Sequence, residues 1–75
     1  MNNQLKIKAK IINKFGVFIE NAIEIEEEMY TTILEEYKNY WNSNNSLRIF
    51  TNEGVVIIPP QILAESIIIV EKIVD

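Results

Sequence analysis

Residues 54–70 read GVVIIPPQILAESIIIV, and two prolines split this stretch into different kinds of chain. Ahead of them, 55–58 are β-branched at every position, which predicts a strand that needs cover on both faces. Pro59 and Pro60 cannot donate to a ladder, so the strand ends there. Pro60 suits the first position of a helical turn through QILAE, and SIIIVEKIV at 66–74 returns as a last strand.

Working back toward the N-terminus, LRIFT at 47–51 leads through Asn52, Glu53 and Gly54 into 55–58. A three-residue hairpin loop favours a left-handed last residue, which glycine supplies cheaply, so Thr51 is expected opposite Val55. The same device stands near the start. LKIKAKI at 5–11 alternates, Lys14-Phe15-Gly16 forms the loop, and VFIENAIEIE at 17–26 alternates again. That register sets Asn13 against Val17, Ile11 against Ile19, Lys10 against Glu20 and Lys6 against Glu24. Val17, Ile19, Ile23 and Ile25 then share a face, and the opposite charges reinforce the pairing.

Between the hairpins the period changes. In EEEMYTTILEEYKNYW, 26–41, Tyr30, Ile33, Leu34, Tyr37 and Trp41 form one apolar stripe, which predicts an amphipathic helix with Glu26, Glu27 and Glu28 in its first turn. Residues 1–75 therefore read as a single small α+β domain of order ββαβββ. The expected architecture is an antiparallel-rich sheet of five strands with the helix on one face and a short helical turn before the last strand. At 48% hydrophobic residues and without cysteine, the chain must stabilise itself by burial alone.

One helix shelters one face. In the expected register Leu47, Ile49 and Ile57 share a side, and so do Ile67, Ile69 and Ile73. Phe50, Val56, Ile58, Ile68, Val70 and Val74 are left over and form the predicted interface. Three covers are open: a second copy of the chain (a homodimer or larger), a different protein, or strong curvature of the sheet into a barrel.

Chemistry is sparse. There is no histidine and no cysteine, and the serines lie in loops or junctions with no base beside them. Neither glycine belongs to a phosphate-cradling loop. Consecutive helical residues diverge by about 100°, so Glu26, Glu27 and Glu28 cannot converge on a metal ion, and neither metal nor cofactor is expected. No sequence feature joins Glu20 to Glu35 as an acid/base pair. Tyr37 and Trp41 continue the buried stripe, although Tyr40 and Trp41 also suit a recognition site.

With 11 acidic and 7 basic residues the net charge is −4, which argues against direct nucleic-acid binding. No stretch is long and apolar enough to span a membrane as a helix, and residues 1–10 lack a signal-type apolar core, so a soluble, cytoplasmic protein is expected. GVVIIPPQIL resembles the strand–proline–turn segment of AbrB-type transcription factors over about ten residues. It departs from them at AESIII, where they carry a Leu-Gly-Ile type turn, and few cations follow Lys38, so no function is carried across. The bias toward Ile, Asn, Lys and Glu fits an AT-rich coding sequence, as in low-GC bacteria and their phages. The functional expectation is a non-enzymatic regulator or inhibitor that self-associates and binds another protein. An alternative is an acidic nucleic-acid mimic displaying Glu20, Glu24, Glu26, Glu27, Glu28, Glu35 and Glu36; another is a small-ligand-binding oligomer.

Overall fold

The long strand β1 (Gln4–Asn13) organises the molecule, whose computed structural model describes residues 4–73. Its alternation places Ile7, Ala9 and Ile11 on one side, all buried, and Lys6, Lys8, Lys10 and Ile12 on the other. Three antiparallel partners share it. β2 (Gly16–Ile19) and β3 (Ile23–Glu26) lie end to end along one edge, and β6 (Ile67–Ile73) occupies the other.

β2 and β3 are one expected strand broken by a bulge. Lys10 pairs with Ile19 and Ile7 with Ile23, so Glu20, Asn21 and Ala22 oppose only Lys8 and Ala9. Beyond the bulge Lys6 faces Glu24, as expected; before it the ladder is shifted by one, with Ile11 opposite Phe18 rather than Ile19. The reason is the turn. Asn13 pairs with Gly16, leaving a two-residue loop, and Asn13 Oδ1 accepts the Phe15 N–H at 2.9 Å. Since no described residue but glycine has positive φ, the loop is not a mirror-image turn, and Gly16 at φ +135° absorbs the mismatch. A one-residue slip turns every side chain over. Phe18 therefore faces the core, while Val17 and Ile19 leave the side of the sheet that carries Ile23 and Ile25.

The second hairpin repeats this chemistry. Thr51 pairs with Gly54 instead of Val55, Thr51 Oγ1 accepts the Glu53 N–H at 3.2 Å, and Gly54 has φ +129°. β4 (Leu47–Thr51) and β5 (Gly54–Ile58) form a separate two-stranded sheet. The expected single sheet of five strands is thus six strands in two sheets. Pro59 starts α2 (Pro60–Leu63), whose turn carries the chain away from β5 to the edge of β1.

The two sheets share the core. Ala9 and Ile11 meet Leu47, Ile49 and Ile58 and the α2 residue Leu63, with Phe18, Tyr37, Val56, Ile62 and Ile68 packed around them. Ser66 is buried beside it, donating to the Ile62 carbonyl at 2.7 Å and accepting from Asn13 Nδ2 at 3.2 Å.

α1 (Tyr30–Asn42) starts later than expected, after a 3-10 turn at Glu27–Met29, and none of its residues is fully buried. It shares the inner face with the β4–β5 hairpin: its Tyr37 packs on the core, and its contacts run along β6 and across to the opposite edge of the β1 sheet. Trp41 Nε1 donates to the Ser66 carbonyl at 3.0 Å, the Tyr30 hydroxyl reaches the Val70 carbonyl at 3.5 Å, and Lys72 Nζ stands 4.7 Å over the Tyr30 ring. The Tyr37 hydroxyl donates to Glu20 and ties α1 to the bulge. No helix among the described residues is long and apolar enough to cross a membrane.

Candidate functional site

Two outward surfaces carry the chain's unspent apolar side chains. The first is the outer face of the β1 sheet. Val17 pairs with Ile12, which pairs with Ile67 in the next strand; Ile19 pairs with Lys10, which pairs with Ile69. Five aliphatic side chains thus surround Lys10 in two adjoining rows across three strands. Val17 is 56% and Ile67 62% exposed. Farther along, the face is mostly polar, with Lys8 opposite Glu71 and Lys6 between Glu24 and Ile73.

Lys10 does not leave a free charge in the patch, since its Nζ lies 2.9 Å from Glu71 Oε1. That hydrogen bond first, then the charges of Lys10 and Lys8, hold the Glu71 carboxyl below the usual carboxylate range.

The second surface is the outer side of the β4–β5 hairpin, where Arg48, Phe50, Val55 and Ile57 point away from the core. It is not flat. α1 stands beside it, and an open cleft of about 820 Å³ runs between Ile33, Glu36 and Tyr40 on one side and Arg48, Phe50 and Ile57 on the other. Glu20 lies in the same cleft, already engaged by Tyr37. Burial first, and then the Glu20 carboxylate, push the Tyr37 hydroxyl far above its ordinary pKa, so it is a fixed donor rather than an acid.

The predicted interface divides between these sides. Phe50 is outward, 62% exposed, but Ile58 is in the core, and Val56, Ile68 and Val70 face inward and are half-buried. Val74 lies outside the described residues. Val55, Ile57, Ile67 and Ile69 are the outward members of those strands, because β5 is shifted by one and β6 pairs with β1 in the register that sets Ile67 against Ile12 and Ile69 against Lys10. A signal for the shift was present in the sequence. Asn13 and Thr51 each stand two residues before an N–H that their side chains can cap, which favours a two-residue loop.

Tyr40 is exposed in the cleft, and Trp41 is partly exposed and fixed to Ser66. The glutamates do not gather. Glu24 and Glu26 lie on the outer face of the β1 sheet, Glu20 and Glu36 line the cleft, Glu27 and Glu28 form the 3-10 turn, and Glu35 is exposed on α1. Glu36, not Glu35, shares the cleft with Glu20. A hydrogen bond to Glu28 first, then its charge, raise the Glu26 pKa, the mark of two exposed carboxyls crowding one another. Among the described residues no three side chains are grouped to hold a metal ion.

The chain's total surface is 5445 Å², against about 4,700 Å² for a typical folded monomer of its mass. Its radius of gyration is 12.7 Å, where about 11.3 Å suits a compact domain of this length. Large outward apolar surface, a shallow core and an elongated form belong together. No family model matches this chain, and neither does any curated protein or solved structure, so the reading of these surfaces rests on their own geometry.

Proposed function

We propose that this chain is a non-enzymatic binding protein that associates with itself and acts on another protein by occupying its surface, as a small regulator or inhibitor does. The supporting observation is the apolar outer side of both sheets. Burying one aliphatic side chain fully is worth about 1.5–3 kcal/mol, and several such groups together rival the stability of a small domain. Surface of that kind on a folded chain marks an interaction site. The absence of histidine and cysteine, and the engagement of Glu20 by Tyr37, leave the cleft without an obvious acid/base pair.

Light scattering coupled to size exclusion tests this reading over a wide dilution series and at low and high salt. A dimer or larger species that persists in high salt is the expected result, because apolar contacts are insensitive to screening. A monomer throughout overturns self-association. A partner complex that dissociates steeply with salt points instead to glutamate-based mimicry of nucleic acid.

A further inference from the structure

We infer that the partner on the outer face of the β1 sheet is a second copy of this chain, packed sheet against sheet about a two-fold axis through the block of Ile12, Val17, Ile19, Ile67 and Ile69. This rests on the self-association proposed above and assigns it one surface. The hairpin cleft is left free for a different molecule.

Three features favour a second copy here. The first is area. Val17, Ile19, Ile67 and Ile69 remain 56%, 47%, 62% and 38% exposed side by side, and a two-fold contact buries that apolar surface twice. The second is shape. Outward side chains of a three-strand width of sheet form a continuous layer that an identical layer can meet at about 10 Å, as in a β-sandwich. The cleft beside α1 is concave, so it offers no such flat layer to a two-fold mate.

The third feature is charge. A two-fold contact sets each patch against itself, so an unbalanced charge would meet its own kind. In this patch Lys10 is the one charged member of the two rows, and Glu71 neutralises it within the same chain. Lys8 and Lys6 lie beyond the two rows, where Lys8 shares Glu71 with Lys10 and Lys6 stands between Glu24 and Ile73. Rotation about the axis lays aliphatic rows on aliphatic rows and sends the charged ends outward in opposite directions. Burial leaves no unpaired charge behind. The resulting dimer has four sheet layers, with the two β4–β5 hairpins outermost and both clefts open.

Single cysteines test the assignment cleanly, since the chain has none of its own. Ile69→Cys and Ile57→Cys are each treated with a short bis-maleimide at a concentration where light scattering shows the wild-type dimer. Covalent dimer from Ile69→Cys and little from Ile57→Cys is expected. The reverse pattern, or no cross-link from either, overturns the face while leaving self-association intact. A wild-type monomer overturns both. Ile19→Lys supplies the energetic arm, with far-UV circular dichroism confirming the fold. Because a two-fold interface carries each substitution twice, dimer affinity should fall at least about a hundredfold, and Ile57→Lys should leave it unchanged. Equal weakening by both lysines removes the distinction and sinks the proposal.

Discussion

The two faces of β1 belong to one strand and meet different fates. On the inner face Ile7, Ala9 and Ile11 are buried within the chain, Ala9 and Ile11 among residues of the second sheet and α2. On the outer face Ile12 is half-buried between Val17 and Ile67, which are both exposed. The inner face is finished by folding, whereas the outer one keeps Val17, Ile19, Ile67 and Ile69 exposed in the single chain. What separates them is one residue of register, set at each hairpin by a two-residue loop and a glycine.

The largest effect that can break this contrast belongs to the inner face. Ile11→Ala should cost about 2–5 kcal/mol in chemical denaturation, from lost burial and the cavity left between the sheets. That loss should be the same at every protein concentration. A concentration-dependent loss would mean that Ile11 acts through assembly, and the contrast would fail.

The glycines sharpen the point about register. Gly16→Ala and Gly54→Ala add a Cβ that meets no atom within 4 Å, so any cost comes from φ alone. Each should lose on the order of 1–3 kcal/mol, with similar values at both turns. An alanine tolerated without loss at either position would show that the turn does not hold the strands in place.

Tyr37→Phe removes the bond between α1 and the bulge and leaves the ring in the core. About 1.5 kcal/mol should be lost in thermal or urea unfolding, the lower end for a hydrogen bond to a charged acceptor, because the pair is only partly buried. An unchanged midpoint would mean that α1 is held by apolar packing and by Trp41 without help from Glu20.

The smallest effect lies on the outer face. The Glu71 pKa is lowered in the folded chain from the ordinary 4.5 by the Lys10 hydrogen bond and charge. The folded state therefore gains from this carboxylate above the ordinary value, and the gain disappears as pH falls through the lowered one. The stability gap between wild type and Glu71→Gln should accordingly be small at neutral pH and close in acid, with raised salt shrinking it further. A gap that persists at low pH would assign it to packing instead of the ion pair.

Much of the local structure was legible. The alternation of β1, the helical stripe around Tyr37, the proline stop and the two glycine turns are nearest-neighbour properties, and each element formed close to where the residues placed it. The second strand misled because a bulge is invisible to alternation. Val17 and Ile19 look continuous with Ile23 and Ile25 until Glu20, Asn21 and Ala22 are set against two residues of β1. The outward side of the second hairpin differs from the expected one through its own slip of register. Ile58 and Ile57 are interchangeable in composition, and only the loop length decides which of them turns inward.

The sequence by itself determined where strands, helix and turns lie, that no thiol or imidazole chemistry is at hand, and that apolar side chains outnumber what one amphipathic helix can cover. These follow from periodicity, proline and glycine geometry, and composition, all of which act over a few residues. Only the tertiary structure decided that the second hairpin joins the helix in covering the core, that β6 pairs with β1, and which side of each strand stays bare. Those choices depend on contacts between residues far apart in the chain, where one position of slip reverses the outcome at almost no local cost.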